Sequence, residues 1–258
     1  MSLRDAYADL VLGASCLGCG TAGRMLCPRC AAALPDQARD VRPVPCPDGL
    51  ARTTATASYD GLVKAMVVGL KERQLLGLAR PLGDLLALAV ARLLPESGPG
   101  VASGGRSPAV VLVPVPSRAS SVRARGFDST RALTTRAAAR LRRTGVAGGA
   151  EVGVAPLLRT RPGVRDQAGL DAGSRAANLA GALTCPAVGL HRLARRHPAI
   201  VAVLCDDVIT TGATAREAQR ALAAVGVPVA GIAAVAATER RRLPSDGRVF
   251  LSFIGDGH

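Results

Sequence analysis

The chain has 258 residues, long enough for one large domain or a domain with a small appendage, and a hydrophobic fraction of 48% supports folding around a working core. Aromatic residues make up only 2%, so the core has to be built from Ala, Val and Leu, and the lack of Trp argues against an aromatic stacking groove for nucleic acid. The formal charge of +14 is carried almost wholly by arginine; it suits nucleic acid, phosphorylated small molecules or an acidic partner and singles out none of them.

Met1 to Leu12 mixes Arg4, Asp5 and Asp9 with apolar residues, which is not the pattern of a signal peptide. The long uncharged stretch Ala221 to Thr238 is punctuated by Gly226, Pro228 and Gly231, so it reads as helix end, turn and buried strand, not as a membrane insertion. A cytoplasmic, reducing location is expected, where cysteines suggest metal binding more than disulfides.

Cys16, Cys19, Cys27 and Cys30 follow C-x2-C-x7-C-x2-C, and two such turns can each present two thiolates to one tetrahedral Zn²⁺. A structural zinc knuckle is the preferred reading and a redox dithiol the alternative. Bound metal would contribute roughly 10 to 16 kcal/mol of apparent folding free energy to a segment too short for a core. Cys46, Cys185 and Cys205 stand apart and read as small buried apolar residues. Gly18, Gly20 and Gly23 satisfy G-x-G-x-x-G, but between metal ligands that fingerprint has no meaning.

Pro35 to Pro47 reads as a linker, Arg52 to Tyr59 as a strand, and Leu62 to Leu70 and Leu75 to Leu94 as helices, the second interrupted at Pro81. After a Gly- and Ser-rich loop, Ala109 to Pro116 is a buried strand that stops at two prolines. A basic loop with Arg118, Arg123 and Arg125 follows. Asp128 to Arg143 is a helix with Asp128 as N-cap, ended by Gly145 to Gly149. Leu158 to Gly169 reads as a long exposed loop and Asp171 to Gly181 as a short helix. Ile200 to Cys205, Ala213 to Val225 and Pro228 to Ala237 then form strand, helix and strand, a βαβ unit that sets Asp206 and Asp207 at the carboxyl end of a parallel strand.

The segment with chemistry in it runs from Val201 through Asp206 and Asp207 to Thr210, Thr211, Gly212, Ala213 and Thr214. Adjacent carboxylates after an apolar strand are costly unless a cation or hydrogen-bond donors meet them. The Thr- and Gly-rich turn that opens a helix converges N–H groups, hydroxyls and a positive dipole end on one spot, which suits a phosphate. Acceptors for vicinal hydroxyls beside an anion cradle describe a site for a ribose 5-phosphate ester. No G-x-x-x-x-G-K-[ST] is present, which disfavours a P-loop hydrolase. The histidines, His191, His197 and His258, read as surface groups.

The string Asp206-Asp207-Val-Ile-Thr-Thr-Gly-Ala-Thr214 resembles the phosphoribosyl pyrophosphate motif of type I phosphoribosyltransferases. The wider order of motifs is similar to the ComF family: the cysteine knuckle, Tyr59 and Gly61 with Lys71, Pro114 to Pro116, Arg125 to Asp128, Gln167, and Arg175 with Asn178. Asp128 stands where that pattern has Asn, and the basic residues after Pro-Val-Pro are thinned to Arg118 and Arg123.

The fold expected from residues and resemblance together is α/β: an open, mostly parallel sheet flanked by helices, type I phosphoribosyltransferase-like, over 49–258, with the small N-terminal four-cysteine zinc knuckle in 1–48. The resemblance implies transfer of a phosphoribosyl group from phosphoribosyl pyrophosphate, with Mg²⁺ on the leaving pyrophosphate. In that scheme Asp206 and Asp207 are catalytic and hold the ribose hydroxyls, while Thr210, Thr211, Gly212, Ala213 and Thr214 bind the 5-phosphate. Pro116, Ser117 and Arg118, with Arg125, Arg161 and Gln167, serve the pyrophosphate or close over it. Segments within Thr53 to Leu94 would form the hood that selects the acceptor. The alternative is a non-catalytic component of DNA uptake that binds single-stranded DNA or a helicase partner.

Overall fold

The computed structural model describes residues 15–94, 108–117, 122–123, 126–148, 150–161, 181–197 and 199–238. Of the expected loop Leu158 to Gly169 the part 162–169 lies outside them, as does all but the last residue of the expected helix Asp171 to Gly181, together with Arg118, Arg125, Gln167, Arg175 and Asn178.

The strands are β1 (Arg39–Asp40), β2 (Thr53–Ser58), β3 (Ala109–Pro114), β4 (Val152–Val154), β5 (Arg159–Thr160), β6 (Leu183–Thr184), β7 (Ile200–Ile209) and β8 (Val229–Ala237). The α-helices are α1 (Pro28–Ala32), α2 (Gly61–Glu72), α3 (Ala79–Leu93), α4 (Ser129–Thr144), α5 (Ala187–Arg196) and α6 (Ala213–Ala223). Six strands form one sheet in the order β1-β2-β8-β7-β3-β4, parallel throughout except for the short antiparallel edge strand β1. The expected α/β architecture, a mostly parallel sheet flanked by helices, is what the chain adopts.

Both faces of the sheet are covered, which is why its strands read as continuous apolar runs and not as alternations. Val110, Leu112, Val203, Cys205, Ala233 and Val235 point to the face covered by α2, α3 and α4. Val111, Val113, Ala202, Leu204, Ile232 and Ala234 point to the other, covered by α6 and the β5-β6 ribbon. Two buried polar side chains on β2 are satisfied by the helix above them. Thr54 Oγ1 donates to the Ala89 carbonyl at 2.8 Å and Thr56 Oγ1 to the Leu85 carbonyl at 2.7 Å. Each bond contributes about 1 kcal/mol net, and each hydroxyl would cost more if left unpaired.

Several local expectations are corrected. Pro81 lies in the first turn of α3, where a missing N–H costs nothing, so it starts the helix and does not interrupt it. The strand expected to stop at Cys205 continues to Ile209, because its pairing with β8 persists through Val208↔Ala236 and Ile209↔Ala237. The stretch read as a linker contributes β1, paired Arg39↔Ala55 and Asp40↔Thr54, with Asp40 held by Arg52 and Arg92. Arg159 and Thr160, read as loop, pair with β6. Asp128 caps α4 as expected, accepting the Arg131 N–H at 3.1 Å, and Gly145 at φ 65° ends it.

Candidate functional site

The chain leaves β3 through α4 towards β4 at one side, and leaves β7 through α6 towards β8 at the other. The carboxyl ends of β3 and β7 therefore flank the point where the connections diverge, the crevice in which open α/β sheets bind ligands. Pro116 and Ser117 follow β3 there, half-buried, and Asp206 and Asp207 stand near the end of β7.

Successive residues of a strand face opposite ways, so the two acids meet different surroundings. Asp207 is 5% exposed and turns to the α2 and α4 side. There the Lys71 ammonium lies 2.7 Å from its Oδ2, and Thr130 Oγ1 donates to the same oxygen at 3.4 Å. Asp206 Oδ1 accepts the Asp207 N–H at 2.8 Å. Burial first, and then the charge of Asp207, push the Asp206 carboxyl up to about 8, against the backbone bond and the Lys71 charge, which act the other way. Asp206 is thus prepared to keep a proton at neutral pH beside the Lys71–Asp207 ion pair.

The end of β3 is tied into the same network. Ser117 Oγ donates to Asp128 Oδ1 at 3.0 Å and lies 3.4 Å from Thr130 Oγ1. Asp128, at the cap of α4, therefore ties down Ser117 just beyond β3, while Thr130, two residues on, reaches across to Asp207. Lys71 and Thr130 belong to the site, yet the sequence did not single them out for it. Lys71 stands out only as the end of its helix in a family pattern, and Thr130 carries no local signal.

Beyond β7, Thr210 and Thr214 are exposed, Thr211 is half-buried, and Gly212 is buried with φ 71° at the N-cap of α6. No side chain bonds the N-cap position of α6; the nearest substitute is Thr211 Oγ1, which accepts the Ala213 N–H at 3.5 Å. The helix entrance keeps its positive dipole end and its first N–H groups directed at the loop.

Gly212 is also covered from outside. A Cβ there would lie 3.0 Å from Leu50 Cδ2 and Pro43 Cγ and 3.4 Å from Pro47 Cδ. The covering stretch is clamped to α6. Gln219 accepts the Ala51 N–H at 2.9 Å and donates to the Gly49 carbonyl at 3.0 Å, and Arg216 Nε donates to the Asp48 carbonyl at 2.8 Å. The same stretch, Asp40 to Thr53, lines a cavity of about 510 Å³. The stretch packed on the Gly212 turn is thus 43–50, which precedes the Thr53 to Leu94 segments expected to form a hood.

Cys16, Cys19, Cys27 and Cys30 converge, their Sγ atoms all within 4.8 Å of one another. Tetrahedral zinc with bonds of about 2.3 Å needs sulfurs about 3.8 Å apart, and Cys19 and Cys27 stand at 3.6 Å. The knuckle turns bond their own sulfurs: the Cys27 N–H donates to Cys16 Sγ and the Cys30 N–H to Cys27 Sγ, each at 3.4 Å. Burial opposes ionisation of Cys16, but the N–H groups of Cys27, Gly18 and Cys19 outweigh it and bring the thiol down to about 6. Cys30 is pushed up to about 12, chiefly by its bond with Cys27 and then by burial. Gly18 is required, because a Cβ there would lie 2.7 Å from Cys30 Sγ. Four sulfurs in this arrangement could hold a zinc ion, and with all four positions supplied by protein it would be a structural one.

The other expected residues are dispersed. Arg161 is exposed at the end of the β5-β6 ribbon, its N–H bonded to the Ala182 carbonyl at 2.8 Å, and no contact among the described residues joins it to the acids. Cys185 and Cys205 are buried as expected, whereas Cys46 is half-buried in the wall of the 40–53 cavity. His191 is exposed, and His197 Nδ1 lies 3.8 Å from Glu151. Among the described residues no helix is long and apolar enough to cross a membrane. No family model matches the chain, and no curated protein is significantly similar to it.

Proposed function

We propose that the chain binds phosphoribosyl pyrophosphate, accompanied by Mg²⁺, as a phosphoribosyltransferase-type protein of the ComF pattern. The observation that supports this reading is the pairing of Asp206 and Asp207 with the glycine-threonine turn at the head of α6, on the crevice between β3 and β7. The Thr210 to Thr214 turn receives the 5-phosphate through N–H groups and hydroxyls, and the acids accept the ribose hydroxyls. Ser117, held by Asp128 just beyond β3, faces the leaving pyrophosphate. When the bond at C1 breaks, positive charge grows on the sugar, and a carboxylate prepared in a dry pocket stabilises it. Mg²⁺ would neutralise the departing pyrophosphate. Arg118, Arg125 and Gln167 take their places in this scheme from the family pattern alone.

The test is thermal. Phosphoribosyl pyrophosphate with Mg²⁺ is expected to raise the melting temperature of the wild type and not that of the Asp206→Ala/Asp207→Ala double variant; no rise in the wild type refutes the proposal. A second reading, a DNA-binding role, has one observation in its favour. Helix α5 buries none of its residues and carries Arg192, Arg195 and Arg196 with no acidic residue among them. Its signature would be salt-dependent binding of single-stranded DNA, weakened by Arg195→Ala/Arg196→Ala.

A further inference from the structure

We infer that the four-cysteine knuckle positions Lys71 on Asp207, so that metal held by the four sulfurs sets the state of the acid pair, whose Asp207 Oδ2 lies 2.7 Å from that lysine. The functional consequence rests on the proposed sugar-phosphate site, whereas the coupling itself rests on contacts alone.

Helix α2 is the element the two sites share. On one face it meets the knuckle: Leu62 Cδ1 lies 3.3 Å from the Cβ position of Gly18, and Leu17 Cδ1 lies 3.4 Å from that of Gly69. Leu62 and Gly69 are two helical turns apart and share that face. Past the helix, Met25 Cε closes on Gly77, only 2.8 Å from its Cβ position, in the 3-10 turn Leu76–Leu78. Leu17, Met25, Leu26 and Leu34 all pack on the main core from this side. The other face of α2 buries Val63, Val67 and Leu70 towards the sheet, and the next residue, Lys71, delivers its ammonium to Asp207.

The knuckle is a small body with a single buried apolar residue, Cys16. Its shape depends on what the four sulfurs hold, because so short a segment buries too little to fold on its own. When it loosens, Leu17 leaves Gly69, Met25 leaves Gly77, and the last turn of α2 loses the support on which Lys71 stands. Asp207 then loses its cation while remaining in a dry pocket beside Asp206. Lys71 is a positioning residue for the acids, and Leu17 and Met25 are positioning residues for Lys71. Linkage works both ways, so a ligand that needs the ordered acid pair also tightens the hold on zinc.

The chain offers a direct probe, since Lys64 and Lys71 are its only lysines and both lie on α2. The full-length zinc-loaded protein and the same protein after chelation are acetylated briefly with an amine reagent, and the two lysine peptides are quantified by mass spectrometry. Chelation is expected to raise the Lys71 to Lys64 labelling ratio by at least about fivefold, the low end of ordinary coupling between sites. Leu17→Ser, which removes the docking contact and leaves the cysteines intact, is expected to do the same with zinc still bound. An unchanged ratio, or both lysines rising together as the whole helix melts, overturns the inference. In parallel, calorimetry with ribose 5-phosphate is expected to show affinity falling at least about fivefold on chelation. Absence of ribose 5-phosphate binding to the zinc-loaded protein would sink the sugar-phosphate site while leaving the labelling ratio to decide the coupling.

Discussion

Replacing Lys71 with methionine removes the ammonium 2.7 Å from Asp207 Oδ2 and keeps most of the aliphatic stem, so the change is close to a pure loss of charge. Breaking a fully buried ion pair from one side costs about 3–5 kcal/mol, because the remaining charge has neither partner nor water. Here the side chain of Lys71 is 29% exposed and that of Asp207 only 7%, so the stranded group is the drier one, while the lost attraction is partly screened. We place the cost at about 2–3 kcal/mol, below the fully buried case. Thr130 Oγ1 remains at 3.4 Å but is a weak substitute for a cation. Restoring neutrality with Asp207→Asn in the Lys71→Met background should recover at least half of the loss. Urea unfolding of the two single variants and the double variant at pH 7 measures the cycle. A loss under about 0.5 kcal/mol for Lys71→Met, or no relief in the double variant, would show that the pair is not what holds Asp207 in place.

The raised Asp206 carboxyl makes a signed prediction. The folded protein keeps a proton up to about pH 8 that the unfolded chain sheds near the ordinary aspartate value of about 4. Unfolding free energy therefore falls as pH rises through that window and levels off above it. Asp206→Asn removes this slope, so denaturation curves should show its advantage over the wild type growing from about pH 4 to about pH 8; a shrinking advantage contradicts the assignment. Gly212→Ala forces an L side chain into φ 71° and against Leu50 and Pro43, and should cost about 1–2 kcal/mol or more together with binding of inorganic phosphate. Unaltered melting and phosphate affinity would mean that the turn is less constrained than its contacts imply. Gly18→Ala drives a Cβ to 2.7 Å from Cys30 Sγ, and chelator competition should show zinc affinity reduced by about tenfold.

What could be read in the sequence was what is local. The βαβ unit at 200–237, the Asp128 cap and the cysteine knuckle each depend on residues within a few turns of one another, and each formed where its pattern lay. Lys71 and Asp207 are far apart in the chain, and nothing near either residue tells that their helix and strand will meet. Thr130 lies one residue inside a helix whose period is set by Leu133, Ala137 and Leu141, so its hydroxyl left no trace in the pattern. Pro35 to Pro47 misled because proline and arginine are common in linkers. Edge strands also tolerate proline nearby, and Pro43 and Pro47 serve as small apolar bodies against Gly212. The length of β7 was hidden because aspartates disfavour strands, and only the pairing with β8 carries the backbone past them.

The clamp of Gln219 on Gly49 and Ala51 gives the beginning of the sheet a stake in the far end of the chain. Truncating the protein just before Arg39 and truncating it just after Leu50 are thus unlike operations. The shorter deletion takes the four knuckle cysteines and leaves the lid of prolines seated on the head of α6. The longer one strips that lid, bares the underside of the Gly212 turn to water, and leaves the Gln219 amide without its two backbone partners.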